Sequence, residues 1–457
     1  MSRRNREKRA AKQKARQRSA ASSGRPADPG PGDFRSADDR TLRREAMIEG
    51  IRCGGACTCG DLDGHAAELV SEFGAEAREL DAATDATVTR MIGEAWRRGW
   101  QPLDLVEFAR RRTEPGIAGF VAEAVVLESR RYAAAAVHPR WSDQLAGIGA
   151  GVELPASGES HVRAWRTRVE LGRRVALGAM LQVVNLLCRL PVFERLLPLP
   201  GESRHRVERS PGEVDQKALA RVRALLAKAE STEFPEEAEA LSAKAQELMS
   251  RYSLHQAVHD HDSGRAPDVS GRRMWLDAPY VDAKALLVQE VAAANRARMV
   301  WASGIGFATV IGADADLDAI ELLTTSLLVQ ANRAMLAEGS QITRAGTSRT
   351  RSFRQSFLIA YATRIGERLV AADSTAMADV GAEIGAAAPS RPGAESPADS
   401  LLLPVLAARA SATDELTEEL FPNVVSRGFS ASNHAGWAAG RAAADQAQFG
   451  VRGSIAG

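Results

Sequence analysis

A chain of 457 residues is too long for one ordinary hydrophobic core, so roughly two or three domains are expected, and 45% hydrophobic residues are ample for globular folding. A formal net charge of +1 points neither toward nor away from nucleic acid over the whole chain, so any electrostatic footprint is local. Four cysteines read against a disulfide-stapled secreted scaffold, and the basic N-terminus has no apolar run behind it, against a signal peptide.

Residues 1–20 carry nine Arg or Lys and one Glu, and Ser, Pro and Gly follow, so 1–40 reads as a disordered basic tail. Residues 41–197 read as a helical N-terminal domain centred on Trp96, Trp100, Trp141 and Trp165. Its expected helices are Thr87–Arg98, Pro102–Arg112, Ile117–Ala136 and His161–Leu190. The greasiest stretch, Val175–Leu190, spans about 16 residues and contains Gln182, Asn185 and Arg189. A membrane span needs about 20 mostly apolar residues, so a buried helix is expected and no membrane partner. Residues 198–212 read as a linker, 213–260 as a helical hairpin and 275–372 as a small α+β unit. Residues 373–400 read as a second linker and 401–457 as a helical tail. The expected class is therefore mainly α with a small α+β unit. Its order is a helical region, the hairpin, then helix, strand, strand, helix and helix, with strands at Arg298–Ser303 and Gly306–Ile311. The stretch His255–Arg273 reads as polar loop, and Asp314 as the cap of the helix after the second strand.

The hairpin carries the strongest pattern. In its first helix Leu219, Val222, Leu226 and Ala229 share a face, with Leu225 beside them; in its second Ala238, Leu241, Ala245, Leu248 and Tyr252 do. Pro235 suits the first position of the second helix, where its missing N–H costs nothing. The residues follow Lys-x-x-x-x-Val-x-x-Leu-Leu-Ala-x-Ala-Glu-Ser from Lys217, Glu-Glu-Ala from Glu236, and Ala-Lys-Ala-Gln-Glu-Leu-Met-x-x-Tyr-x-Leu from Ala243. This segment resembles the domain of unknown function 2786, a resemblance that implies a fold and no activity. It also implies a companion α+β domain, whose pieces match Phe353-Arg354-Gln355-Ser356-Phe357 and Ile365-Gly366-Glu367-Arg368-Leu369. The closing Gly436-x-x-x-Gly440-Arg441-x-Ala443-x-Asp445 is similar to the end of relatives. Gly99-Trp100-Gln101-Pro102-Leu103-Asp104-Leu105 and His138-Pro139-Arg140-Trp141 resemble the helical part of actinobacterial members.

Several clusters carry chemistry. Cys53, Cys57 and Cys59 with His65 offer the thiolates and imidazole that suit tetrahedral zinc. The spacing is not a paired Cys-x-x-Cys and no second pair closes it, so incidental cysteines are the favoured reading, with zinc and a redox-responsive thiol group as alternatives; no cofactor is expected. Arg344, Arg349, Arg351 and Arg354, with Ser348, Thr350 and Ser352 among them, lead into a helix N-terminus, a combination suited to phosphate. A solvated basic surface, or pairing with the acidic turn Glu230, Glu233, Glu236 and Glu237, is the alternative. His255, His259 and His261 lack the neighbouring Glu of a zinc protease helix. Gly436 and Gly440 suit close helix packing, and Arg441 with Asp445 an intrahelical ion pair. No P-loop, dinucleotide fingerprint or nucleophile elbow is present. The composition, rich in Ala and Arg, points to the cytoplasm of a bacterium with a GC-rich genome. The expected function is a non-enzymatic binding or adaptor protein contacting DNA or RNA, or a protein partner through the hairpin. The rival is an enzyme acting on a phosphate-bearing or nucleic-acid substrate at the interface of the hairpin and the α+β unit.

Overall fold

The computed structural model describes residues 31–202, 220–228, 235–341, 348–387, 397–425, 428 and 431–446. The described chain is mainly helical with one three-stranded antiparallel sheet, and it divides into two compact units. One unit takes the chain up to Ala95 with Thr113–Ser129 and Ile148–Pro191; the other takes Trp96–Arg112, Arg130–Gly147 and the chain from Val192 onward. The units therefore interleave along the sequence instead of breaking near residue 197. Of the four tryptophans expected to share one core, Trp165 belongs to the first unit and the other three to the second.

The first unit contains α1 (Pro31–Ala56), α2 (Leu62–Phe73), most of α3 (Ala77–Arg97), α5 (Pro115–Ser129), α7 (His161–Arg168) and α8 (Arg173–Cys188). Helix α1 takes in residues 31–40, which the sequence assigned to a disordered tail; residues 1–30 lie outside the described part. Helix α8 is the greasy stretch, and it buries Leu177, Met180, Leu181, Val183, Val184 and Leu187 among its neighbours α1 and α2. It does not continue α7. The break is a Schellman turn: Leu171 N donates to Arg166 O and Glu170 N to Thr167 O, with Glu170 in the left-handed region at φ 54°. Glycine usually fills that position, so Glu170 does not announce the turn.

A polar knot ties α7 into this unit. The His161 ring stacks on Phe120 at 4.1 Å and its Nε2 lies 2.9 Å from Glu123 Oε2; Arg168 also pairs with Glu123. The Asp85 carboxylate accepts the backbone N–H groups of His161 and Val162 at 3.0 Å each, answering donors that the helix start leaves open. Burial pushes the Glu123 carboxyl up, but its hydrogen bonds to His161 and Arg168 outweigh that and hold it below the ordinary value of 4.5. A depressed carboxyl contributes stability that is complete above its unfolded value and is lost as pH falls through its folded value. The stability gap between wild type and Glu123→Gln is accordingly expected to shrink between about pH 6 and about pH 3, as read by circular-dichroism melting. A gap that stays constant or widens toward acid contradicts the pairing.

The second unit contains α4 (Pro102–Arg112), α6 (Pro139–Gly149), a short hairpin helix over 220–228 called α9, α10 (Pro235–Asp262), β1 (Val269–Trp275) and α11 (Val281–Ala294). It continues with β2 (Arg298–Ala302), β3 (Phe307–Ala313), α12 (Asp314–Ala337), α13 (Thr350–Ala387), α14 (Pro397–Leu420) and α15 (His434–Gln446). The sheet order is β1-β3-β2, with Trp275 opposite Phe307 and Ala302 opposite Phe307 on the other side. Strand β1 begins in the stretch expected to be loop and takes in its last five residues, Val269 to Arg273. Residues 374–387, expected to be linker, continue α13.

Alternation assigns the two faces of the sheet. Met274, Ala308 and Val310 join the core formed with α11, α12 and α13. Trp275 and Phe307 point the other way, edge to face at 5.2 Å, and Phe307 meets Phe193, which meets Trp100. This aromatic layer is why 96–112 belongs to the second unit. Within it Arg273 lies between the rings of Phe193 and Phe307, 5.0 and 5.1 Å from their centroids, and donates to Asp104 at 2.6 Å.

The hairpin docks inside this unit. Val222 and Leu226 of α9 and Ala245 and Met249 of α10 belong to the same core as Leu286, Val288 and Phe357. The buried positions among the described side chains of α10 are Ala245, Gln246, Met249, Ser250, Ser253, Leu254 and Ala257; of the stripe read from the sequence, Ala245 is among them, Leu248 packs half-buried against the same core, and Tyr252 is half-buried. Three polar residues face inward because each finds a partner. Gln246 donates to Ser250 Oγ and Asn295 Oδ1, both at 3.3 Å, and Ser253 donates to Asp316 Oδ2 at 2.9 Å.

Candidate functional site

Helix α13 starts from a pinned turn. Arg349 N donates to Gln341 O at 2.8 Å, Gln341 N to Thr350 Oγ1 at 3.0 Å, and Ser352 Oγ to Arg349 O at 3.0 Å. Arg349 and Arg351 are exposed and Arg354 is half-buried, its Nε without a hydrogen-bond partner. Among the described residues none of the three forms an ion pair. Arg344 and the acidic turn at Glu230 and Glu233 lie outside the described residues, as do the side chains of Glu236 and Glu237.

The closing Gly-x-x-x-Gly segment completes this end of the molecule. Helix α15 runs parallel to α13: Gly436 sits on the Phe353 carbonyl, Gly440 on the Phe357 carbonyl, Asp445 pairs with Arg364, and Arg368 donates to Ala444 O. A parallel pair brings two helix N-termini side by side. Asn433 caps the second of them, its Oδ1 accepting Gly436 N at 2.9 Å while its own N donates to Ser356 Oγ at 3.0 Å. Each N-terminus carries about half a positive charge, so the arginines extend a region already electropositive from backbone dipoles alone. Arg441 pairs with Glu367 at 3.0 Å, so the expected intrahelical pair with Asp445 is replaced by two cross-helix pairs that hold α15 in register.

A second cluster lies in the first unit. Cys57, Cys59 and His65 place their ligand atoms within 4.8 Å of one another, between the end of α1 and the first turn of α2. The sulfurs are 2.7 Å apart and His65 Nε2 is 3.3 Å from Cys59 Sγ. Hydrogen bonds from the Cys59 side chain and backbone lower the Cys57 thiol from its ordinary value, and the Cys59 contact raises His65. Cys53 is not among them. It sits in α1 with Sγ donating to Glu49 Oε1 at 3.1 Å, and that contact pushes its thiol up.

Where α10 meets the α+β elements, charges converge that the sequence did not single out. Asp316 faces Ser253 and, at 3.9 Å, Arg409 Nη1; Arg409 also reaches Asp260 at 3.3 Å and Ser253 O at 3.2 Å. Burial raises the Asp316 carboxyl. Asp373 holds Arg296 through both oxygens, at 2.7 and 2.6 Å. The cations and carboxylates answer one another, as in a network that locks helices. His255, His259 and His261 ride on the last turns of α10, which extends to Asp262; His255 lies 3.8 Å from Glu383. Asp314 is the first residue of α12 and makes no cap. Its carboxylate accepts Ser270 Oγ at 2.6 Å and pairs with Arg140.

Among the described residues no single helix is long and apolar enough to cross a membrane. Residues 217–256, the hairpin, match the model of a family described as Protein of unknown function (DUF2786). No curated protein and no solved structure matches the chain.

Proposed function

We propose that this chain, whose hairpin carries the DUF2786 signature, is a non-enzymatic binding protein of the bacterial cytoplasm that contacts the phosphate backbone of DNA or RNA. The observation that carries the reading is the pairing of two parallel helix N-termini beside exposed Arg349 and Arg351, which have no carboxylate partner among the described residues. Backbone N–H groups and guanidinium forks both favour phosphate oxygens, and neither reads a base. The contact is therefore expected to tolerate any sequence. The basic segment at residues 1–20 adds a second attachment of the same kind.

Arg349→Ala with Arg351→Ala is expected to weaken retention of a short duplex at low salt about thirtyfold, at roughly 1 kcal/mol per lost contact. A fluorescence-anisotropy titration of the full chain measures it. Absence of binding by the wild type at low salt overturns the proposal, and so does equal binding by the two proteins.

A further inference from the structure

We propose that Cys57 Sγ, Cys59 Sγ and His65 Nε2 hold one zinc-class divalent cation, with the fourth tetrahedral position open to solvent. Two thiolates and a neutral imidazole balance the ion's charge, and binding releases two thiol protons to water. The sequence set of four thus becomes a set of three, since Cys53 is turned to Glu49.

Proximity alone does not distinguish a ligand set from incidental cysteines; the groups around it do. Two backbone N–H groups point at sulfur: Cys59 N donates to Cys57 Sγ at 3.2 Å and Asp61 N to Cys59 Sγ at 3.4 Å. Such donors stabilise a thiolate more than a thiol. The far ring nitrogen of His65, Nδ1, lies 3.5 Å from Glu68 Oε2. A metal-binding histidine commonly gives its second ring N–H to a carboxylate, which fixes the tautomer and aims the free nitrogen at the ion.

The backbone holds these groups in place. Asp61 caps α2, its Oδ1 accepting Gly64 N at 2.8 Å, and this sets His65 in the first turn. Asn185 of α8 donates to Gly55 O at 2.7 Å, pinning the chain just before Cys57. Any Cβ at Gly55 would fall under 3.0 Å from Val184, so the close approach of α1 to α8 requires glycine there. Gly60, at φ 81°, turns the chain from the second cysteine back toward α2. Sulfurs on one zinc lie about 3.8 Å apart, from bonds of about 2.3 Å, so Cys57 and Cys59 separate by about 1 Å on binding. Cys59 is exposed and Cys57 and His65 are half-buried, so small side-chain rotations suffice.

Zinc is the probe. The full chain is purified reduced, equilibrated with zinc, and assayed for metal per chain. One zinc per chain is expected in the wild type and in Cys53→Ser. Cys57→Ser, Cys59→Ser and His65→Ala are each expected to bind at least about tenfold more weakly, and Glu68→Gln about tenfold more weakly. No stoichiometric zinc in the reduced wild type, or equal losses in Cys53→Ser and Cys57→Ser, overturns the assignment. Cobalt loaded into the wild type needs no variant. A tetrahedral spectrum with charge transfer from two thiolates supports the site; an octahedral spectrum, or one from three thiolates, overturns it.

Discussion

Asp104→Asn is expected to lower the stability of the second unit by about 3–5 kcal/mol, the usual cost of leaving one charge of a buried pair without its partner. The side chains of Asp104 and Arg273 are each only 3% exposed. Asp104 Oδ2 accepts Arg273 Nη1 at 2.6 Å and Gln101 N at 3.1 Å, while Oδ1 accepts Trp275 Nε1 at 2.9 Å. An amide has one oxygen. Whichever way it is turned, its NH2 faces a donor, and Arg273 keeps an uncompensated charge between two aromatic rings. Replacing both partners by apolar residues, Asp104→Leu with Arg273→Met, is expected to cost far less, because desolvation of both charges is then avoided. Denaturant unfolding followed by tryptophan fluorescence suits the test, since six of the seven tryptophans lie in the second unit. A loss below about 1 kcal/mol for Asp104→Asn would falsify the assignment of this pair as the pin between α4 and β1.

Gly436→Ala with Gly440→Ala is expected to destabilise the α13–α15 pair by about 1–3 kcal/mol per site, despite the higher helix propensity of alanine. At both positions an added Cβ falls under 3.0 Å from a backbone carbonyl of α13, which cannot rotate away. Gly119 in α5 provides the opposite case, with nothing within 4 Å of its would-be Cβ. Gly119→Ala is expected to stabilise the first unit by about 0.5–1 kcal/mol. Thermal melts of the variants give the signs directly. If the double variant melts no lower than wild type, the close parallel contact is wrong. Because α15 supplies the second N-terminus beside the arginines, the same variant is also expected to bind nucleic acid more weakly.

The parts legible in the sequence were those whose cause is local. Proline at the first helical position marked α4 at Pro102, and an apolar run interrupted by Gln182 and Asn185 marked α8 as buried. Gly436 and Gly440 announced close packing without naming the partner helix. Strand β1 was missed because its inward residues include Arg273, and that burial depends on Asp104, remote in sequence. Gln246 and Ser253 break the apolar pattern of α10 for the same reason: their partners Asn295 and Asp316 come from other elements, while Ser250 accepts Gln246 within the helix. Residues 374–387 border a Pro- and Ser-rich stretch that masks them, although their Ala, Met and Glu favour helix. At the candidate sites the residue types were visible, but the parallel N-termini were not, nor was the turning of Cys53 toward Glu49.

The dependence of affinity on salt tests most directly the claim that Arg349 and Arg351 grip phosphate. Each phosphate contact on duplex DNA adds about 0.9 to the slope of log affinity against log salt. The Arg349→Ala, Arg351→Ala protein is therefore predicted to show a slope shallower than wild type by about 1.8. Parallel lines for the two proteins would contradict the account.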